Sequence, residues 1–502
     1  MIFSRALAGV AFAALVVASS TAAAAGRPIP AEVVQRAEAL TQQQIEATHN
    51  VRALQNLGGL YQAAGDKQRY RWTMKQLTTL VPGSLKLKLD LAASYAADDM
   101  KTPAYDTLLR LKGQGFGVDL STDQRFDKIH GTQVWDYIVG NLKESLKPFG
   151  EGKPAFTLDK KDLLIQAIGW DPARKQFLLG SAREGKIFLA DKHGKLHDFI
   201  APNAKNKLWA IMDLRVDAKR NRLWVATTSI QHFRGYSTDN AGKAALAEFN
   251  LKTGKLLHRY EMPGTEVFLS TLALAPNGDI FAADGVNRVI YTINKGKLTE
   301  LVANKHLTAI RAMAVSEDGK ILYLADPRAG IIGFELSTGK AFGLAYNPET
   351  LVLPGIVGMY TYDGTLVVIE PGMTPERVMR LSLSKDGRSV TKAMPLDVAK
   401  PDFKALGAGT VAGDTLYFIV NNQQAHYDVH GLPNKAELQP LMVYASNLRF
   451  SWGESGINTG MQELAKPAAK ASRPATNKSM FKPAPSAAWL KSGTPAPASS
   501  AP

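Results

Sequence analysis

Residues 272–302 read LALAPNGDIFAADGVNRVIYTINKGKLTELV. Leu272 to Ala275 is a short apolar run that stops at the turn signal Pro276-Asn277-Gly278, and Ile280-Phe-Ala-Ala-Asp284 is a second run. Arg288 to Ile293 and Lys297 to Val302 supply a third and a fourth, so the stretch predicts four successive strands joined by tight turns. The second run has five counterparts with similar endings: Gln-Phe-Leu-Leu-Gly-Ser181, Leu-Trp-Val-Ala-Thr227, Leu-Tyr-Leu-Ala-Asp326, Leu-Val-Val-Ile-Glu370 and Tyr-Phe-Ile-Val-Asn421. Their ends are spaced by 46, 57, 42, 44 and 51 residues. Four strands repeated six times predict a six-bladed β-propeller over residues 151–452, because radial repetition closes the set of sheets and hides most strand edges. The last blade lacks a strand after Leu441 to Ser446, and Pro154 to Leu158, just ahead of blade one, is a free strand able to supply it.

Upstream the period changes. Leu57, Gly58, Tyr61, Tyr70, Met74 and Leu77 recur 34 residues later as Leu91, Ala92, Tyr95, Ala104, Leu108 and Leu111. Gly65-Asp66 marks a turn, and Thr102-Pro103 reads as an N-cap followed by the first helical position. Further helices are expected around Ala31 to Ala47 and Val134 to Leu146, giving a helical domain over 27–150 and a chain of α plus all-β, multidomain class. The period and residue types resemble the tetratricopeptide repeat, whose inner helical faces bind peptides. Arg52 and Lys86 share one repeat position, with Asn56 one turn along, so the resemblance implies a small basic groove. Asp90 and Leu89 stand where a complete carboxylate clamp needs basic or amide groups.

The two ends carry different signals. Arg5, the apolar run Ala6 to Ala18 and the small residues up to Ala25 read as a cleavable signal peptide over 1–25, which implies a periplasmic or extracellular protein. No later apolar run reaches membrane-spanning length. Residues 463–502 are rich in Ala, Pro, Ser and Lys and read as a disordered tail. Lys466, Lys470, Arg473, Lys478, Lys482 and Lys491 face only Glu463 there, so electrostatic contact with an anionic envelope surface is one expectation and a functionless solvated end is the other. The whole chain has a formal net charge of +15 and no cysteine. Disulfides, thiolate metal sites and cysteine nucleophiles are therefore excluded. Nucleic acid is not an expected partner, since the basic residues do not interleave with a stacking platform.

Ile280 to Val289 resembles an NHL repeat, and Met212-Asp213-Leu214 with Leu223-Trp-Val-Ala226 resembles the gluconolactonase and regucalcin six-bladed propellers. The stretch from Leu246 to Met262, followed by Phe268-Leu-Ser-Thr-Leu-Ala, is similar to the royal-jelly and yellow proteins. The gluconolactonase resemblance implies a divalent cation, Ca or Zn, that polarises a lactone carbonyl and activates water. Asp213 fits one ligand position. Gln166-Ala-Ile-Gly-Trp170 stands where the family has a Glu, and Ser270-Thr271 replaces an Asn.

In a propeller the start of each inner strand and the end of each second strand converge on one funnel. This construction gathers Asp213, Ser270 and Arg311 with Asp284, Asp326, Glu370 and Asn421 as a candidate ligand site, with Asp213 expected to face solvent. The competing expectation is that Asp284 and Asp326 cap their own turns. Two insertions, Ser229 to Lys243 with His232, Arg234 and Tyr236, and Gln423 to His430 with His426 and Tyr427, are candidate recognition loops. His426 and His430 lack the intervening Glu of a zinc-protease helix, and neither a P-loop nor a Gly-x-Ser-x-Gly elbow occurs. The sequence thus points to an exported binding or scaffold protein for a protein, peptide or small polar ligand. A gluconolactonase-like hydrolase or lyase acting in the funnel is the alternative.

Overall fold

The computed structural model describes residues 31–451 apart from residue 265; the signal segment 1–25 and the tail 463–502 lie outside the described residues. The chain forms two compact units. One contains the residues up to Leu146 together with Pro348–Pro354, and the other runs over 147–347 and from Gly355 onward.

The helical unit holds α1 (Ala31–Glu38), α2 (Gln42–Glu46), α3 (Val51–Ala64), α4 (Lys67–Leu80), α5 (Leu85–Ala96), α6 (Lys101–Gly113) and α7 (Gln133–Glu144). Asn50, Asp66, Ser84 and Thr132 cap α3, α4, α5 and α7 by accepting a backbone N–H. Gly65 ends α3 in the left-handed conformation that its missing Cβ permits. Leu57, Tyr61, Met74 and Leu77 are buried, as are their counterparts Leu91, Leu108 and Leu111. A Cβ on Gly58 would lie 2.7 Å from Met74 Cε, so the small residue lets α3 and α4 pack closely. The expected cap at Thr102 is not what forms. The helix starts at Lys101, with Met100 at the cap position and Pro103 in the first turn, where a missing N–H breaks no bond.

The segment Pro348–Pro354 lies between propeller strands in sequence yet belongs to this unit, a boundary the strand pattern did not announce. Pro348 O accepts from Gln114 Nε2 at 2.6 Å, Arg110 pairs with Glu349 at 2.6 Å, and Leu351, Val352 and Leu353 are buried. Lys88 stands beneath this contact, buried, with its ammonium 2.7 Å from Gln114 Oε1 and over the Phe116 ring. Burial, aided by Arg110, pushes its pKa down to about 8.

The second unit is a six-bladed β-propeller. Its inner strands are Ile165–Asp171, Ala210–Asp217, Leu269–Leu274, Ala312–Val315, Gly358–Tyr362 and Gly409–Ala412, each neighbouring the next and the sixth neighbouring the first. The core lies between blades: Ile168 and Phe177 of blade one pack with Ile419 and Val443 of blade six, and Leu246 of blade two packs with Leu272 and Ala282 of blade three. Blade six has only three strands of its own, and Lys153–Leu158 completes it by pairing antiparallel with Leu441–Asn447. Just before it, Phe149 and Gly150 pair with Val398 and Asp397 of blade five, so the entering chain bridges two blades. Asp397 fixes this crossing by accepting from Gly152 N at 2.7 Å and from the Ser446 hydroxyl. Only glycine fits at 150, where φ is 94° and a Cβ would meet Leu396 O at 1.9 Å. No helix among the described residues is long and apolar enough to cross a membrane.

Candidate functional site

The ends of the six second strands show what the repeated sequence endings do. Ser181 donates to Leu163 O, and Thr227 accepts from Trp209 N at 2.7 Å. Asp284 accepts from Phe268 N, Val286 N and Asn287 N, and from the Asn287 amide at 2.7 Å. Asp326 accepts from Thr308 N, Ala309 N, Arg328 N and Ala329 N. In blades one to four, then, this residue holds the loop that leads into the inner strand of its own blade. Blades five and six differ. Glu370 accepts from Arg377 Nε at 2.7 Å, and Asn421 bridges Pro440 O and Met442 N. Asp284, Asp326 and Glu370 are all buried. Burial raises the Glu370 pKa against the pull of Arg377, and its Oε1 has no hydrogen-bond partner.

Asp213 is also buried, not solvent-facing, because blade three closes over it. Its Oδ1 accepts from Leu214 N and from Arg215 Nη1, both at 2.7 Å; its Oδ2 accepts from Leu272 N at 2.7 Å and Thr271 Oγ1 at 3.2 Å. It therefore fastens inner strand two to inner strand three, and burial pushes its pKa up against those donors. Nearby, Ser270 is committed to Ile310 O at 2.8 Å, and Gln166 accepts from Asn422 Nδ2 at 3.1 Å. Arg311 is exposed. This donor set does not fit a divalent ion, since both Asp213 oxygens are filled and its neighbours offer an Arg, hydroxyls and an amide. Among the described residues no three His, Asp or Glu side chains converge as metal ligands.

The two long loops meet. Arg183, from the turn after the second strand of blade one, donates from Nη1 to His232 O at 3.0 Å and to Gly431 O at 2.9 Å. Asp162, before blade one, accepts from Tyr427 OH at 2.8 Å and from Arg234 Nη2 at 3.0 Å. Gly431 presses on Gln231, where a Cβ would lie 2.2 Å from the carbonyl oxygen. The His232 ring lies tilted against Tyr427 with centroids 5.6 Å apart, and burial, then Arg183, lowers its pKa. Burial and the bond to Asp162 raise the Tyr427 pKa. His426 instead turns to Glu437 at 2.8 Å. Tyr236, Val429 and Leu432 stand exposed on the same two loops, Val429 at 77%. Sequence reasoning missed Arg183 and Asp162, which sit in short turns and carry no local signal.

In the helical unit the three groove candidates differ in their surroundings. Lys86 is tied to Asp90 at 2.6 Å, which also pairs with Arg125. Arg52 is exposed, and Asn56 Nδ2 is buried without a hydrogen-bond partner.

No protein-family model matches the chain, and no curated protein matches it. Among solved structures, the Malassezia sympodialis allergen Mala s 1 is similar at 12% identity over 59% of this chain and 98% of its own, with a TM-score of 0.45. The PQQ-bound aldose sugar dehydrogenase of Streptomyces coelicolor is similar at 13% identity over 60% and 99%, with a TM-score of 0.39. Virginiamycin B lyase of Staphylococcus aureus is similar at 17% identity over 56% and 84%, with a TM-score of 0.37. At these values none of them bears on what this chain binds or does.

Proposed function

We propose that the chain is an exported binding protein whose recognition surface is the propeller face formed by the loops of blades one, two and six, with a protein as its partner. The observation that carries this reading is the pair of hydrogen bonds that Arg183 donates to His232 O and Gly431 O, which ties the two long loops into one ordered surface. A preordered surface binds without the entropy cost of fixing loops on contact. Tyr236, Val429 and Leu432 give that surface exposed apolar anchors within a rim of Arg234, His430 and Asp428. The helical region, read as tetratricopeptide-like, is a second scaffold. The lactone-hydrolase alternative draws no support from the filled oxygens of Asp213. A photo-crosslinking residue at Val429, compared with one at exposed Lys385 in the turn at the opposite end of the strands, tests the assignment in producing cells. A discrete adduct from position 429 and none from 385 is expected. Adducts from 385 alone, or none from 429, contradict it.

A further inference from the structure

The central channel holds a feature that the loop surface does not use. Arg215 lies on the inner strand of blade two, and its guanidinium sits 5.9 Å from the ring centroid of Tyr360, on the inner strand of blade five. Blades two and five face each other across a six-bladed ring, so this cation–ring contact is made across the channel. Tyr360 is held in turn by Gly409 N of blade six, which donates to its hydroxyl at 2.7 Å. Burial pushes the phenol up to about 12, so it stays neutral. The pair forms a fixed floor across the channel.

The hydrogen bonds of Arg215 leave one edge of the guanidinium open. Nη1 donates to Asp213 Oδ1 at 2.7 Å and to Leu214 O at 3.0 Å, while Nε and Nη2 donate to no protein acceptor among the described residues. The side chain keeps 20% exposure. An Nε/Nη2 edge is the fork that takes a carboxylate through two parallel bonds. Asp213 pairs with Arg215, and Arg311, at the head of inner strand four, is exposed and makes no ion pair among the described residues.

We propose that the propeller channel is a binding site for a small organic monocarboxylate, its carboxylate on the Nε/Nη2 edge of Arg215 with Arg311 as the second cation. Asp213 and Tyr360 are positioning residues that fix the guanidinium. Titration calorimetry of the full chain with acetate, lactate and D-glucuronate, with D-glucose as the neutral counterpart of the last, tests it. At least one carboxylate should bind with a stoichiometry of one and glucose should not. Arg311→Ala, at an exposed position that leaves the fold intact, should weaken that affinity about tenfold, in line with losing one charge-assisted contact. Arg215→Met should abolish it, with circular dichroism confirming that the variant is folded. Absence of binding by all three carboxylates, equal binding of glucose, or affinity unchanged in Arg311→Ala overturns the proposal. None of these results touches the crosslink at Val429, so the two sites stand or fall separately.

Discussion

Asp284 and Asp326 look from sequence like two carboxylates aimed at a funnel, and the hydrogen bonds show where their charge is spent: each accepts from three or four backbone N–H groups of two adjoining loops. Removing such an acceptor leaves buried donors unpaired. Asp284→Ala should therefore cost about 2 kcal/mol or more in urea unfolding, and Asp284→Asn, which keeps one oxygen in place, distinctly less. Lys88 gives a pH test with a definite sign. Its folded pKa is lowered to about 8, so above that pH the folded chain has released a proton that the unfolded chain still holds up to the ordinary lysine value of 10.5. Stability contributed at this position rises with pH through that window. The difference in unfolding free energy between Lys88→Met and the parent, whatever its size at pH 7, should shift in favour of the parent as pH rises from about 7.5 to about 10. A difference that stays constant contradicts a depressed pKa. Residue identity at the blade ends was legible in the sequence, but the partners were not. A carboxylate after a strand reads the same whether it meets solvent or four backbone donors, and only the entry loop, 16 to 18 residues away, decides.

At the scale of elements, the four-strand repeat was readable because alternation and tight turns are local signals that each blade prints again. The strand Lys153–Leu158 was readable for a related reason: it is an apolar run with no partner in its own blade, and the sixth blade has a vacancy for it. Helix starts were less so, since Pro103 is tolerated anywhere in the first turn and thus marks the start of α6 only to within a few residues. Phe156 carries much of the closure, buried against Phe177 with ring centroids 5.0 Å apart. Phe156→Ala should lower propeller stability by about 3–5 kcal/mol, seen as a lower thermal midpoint for the propeller transition. Deleting 153–158 should also expose the edge of Leu441–Asn447 and promote self-association, detectable by light scattering. An unchanged midpoint in both variants contradicts closure by this strand.

At the scale of the whole molecule, the two units place different demands on the sequence. The segment Pro348–Pro354 belongs to the helical unit although four blades precede it in sequence, a membership that no local pattern could announce. The recognition face is the same kind of object. Its lock, Arg183 to Gly431 O, spans 248 positions of sequence and joins a short turn to a long insertion. The insertions themselves were visible as irregular stretches in a regular repeat, which is why His232, Arg234 and Tyr427 were found and Arg183 and Asp162 were not. The central claim is that these loops form one ordered surface, and hydrogen–deuterium exchange on the full chain with and without Arg183→Ala tests it most directly. Segments 229–243 and 422–440 should be protected in the parent and should loosen together in the variant, by about 30-fold in exchange rate if the lost bonds are worth about 2 kcal/mol, while the strands of blades three and four keep their protection. Loosening of one loop alone, or of neither, would show that Arg183 does not make them a single surface.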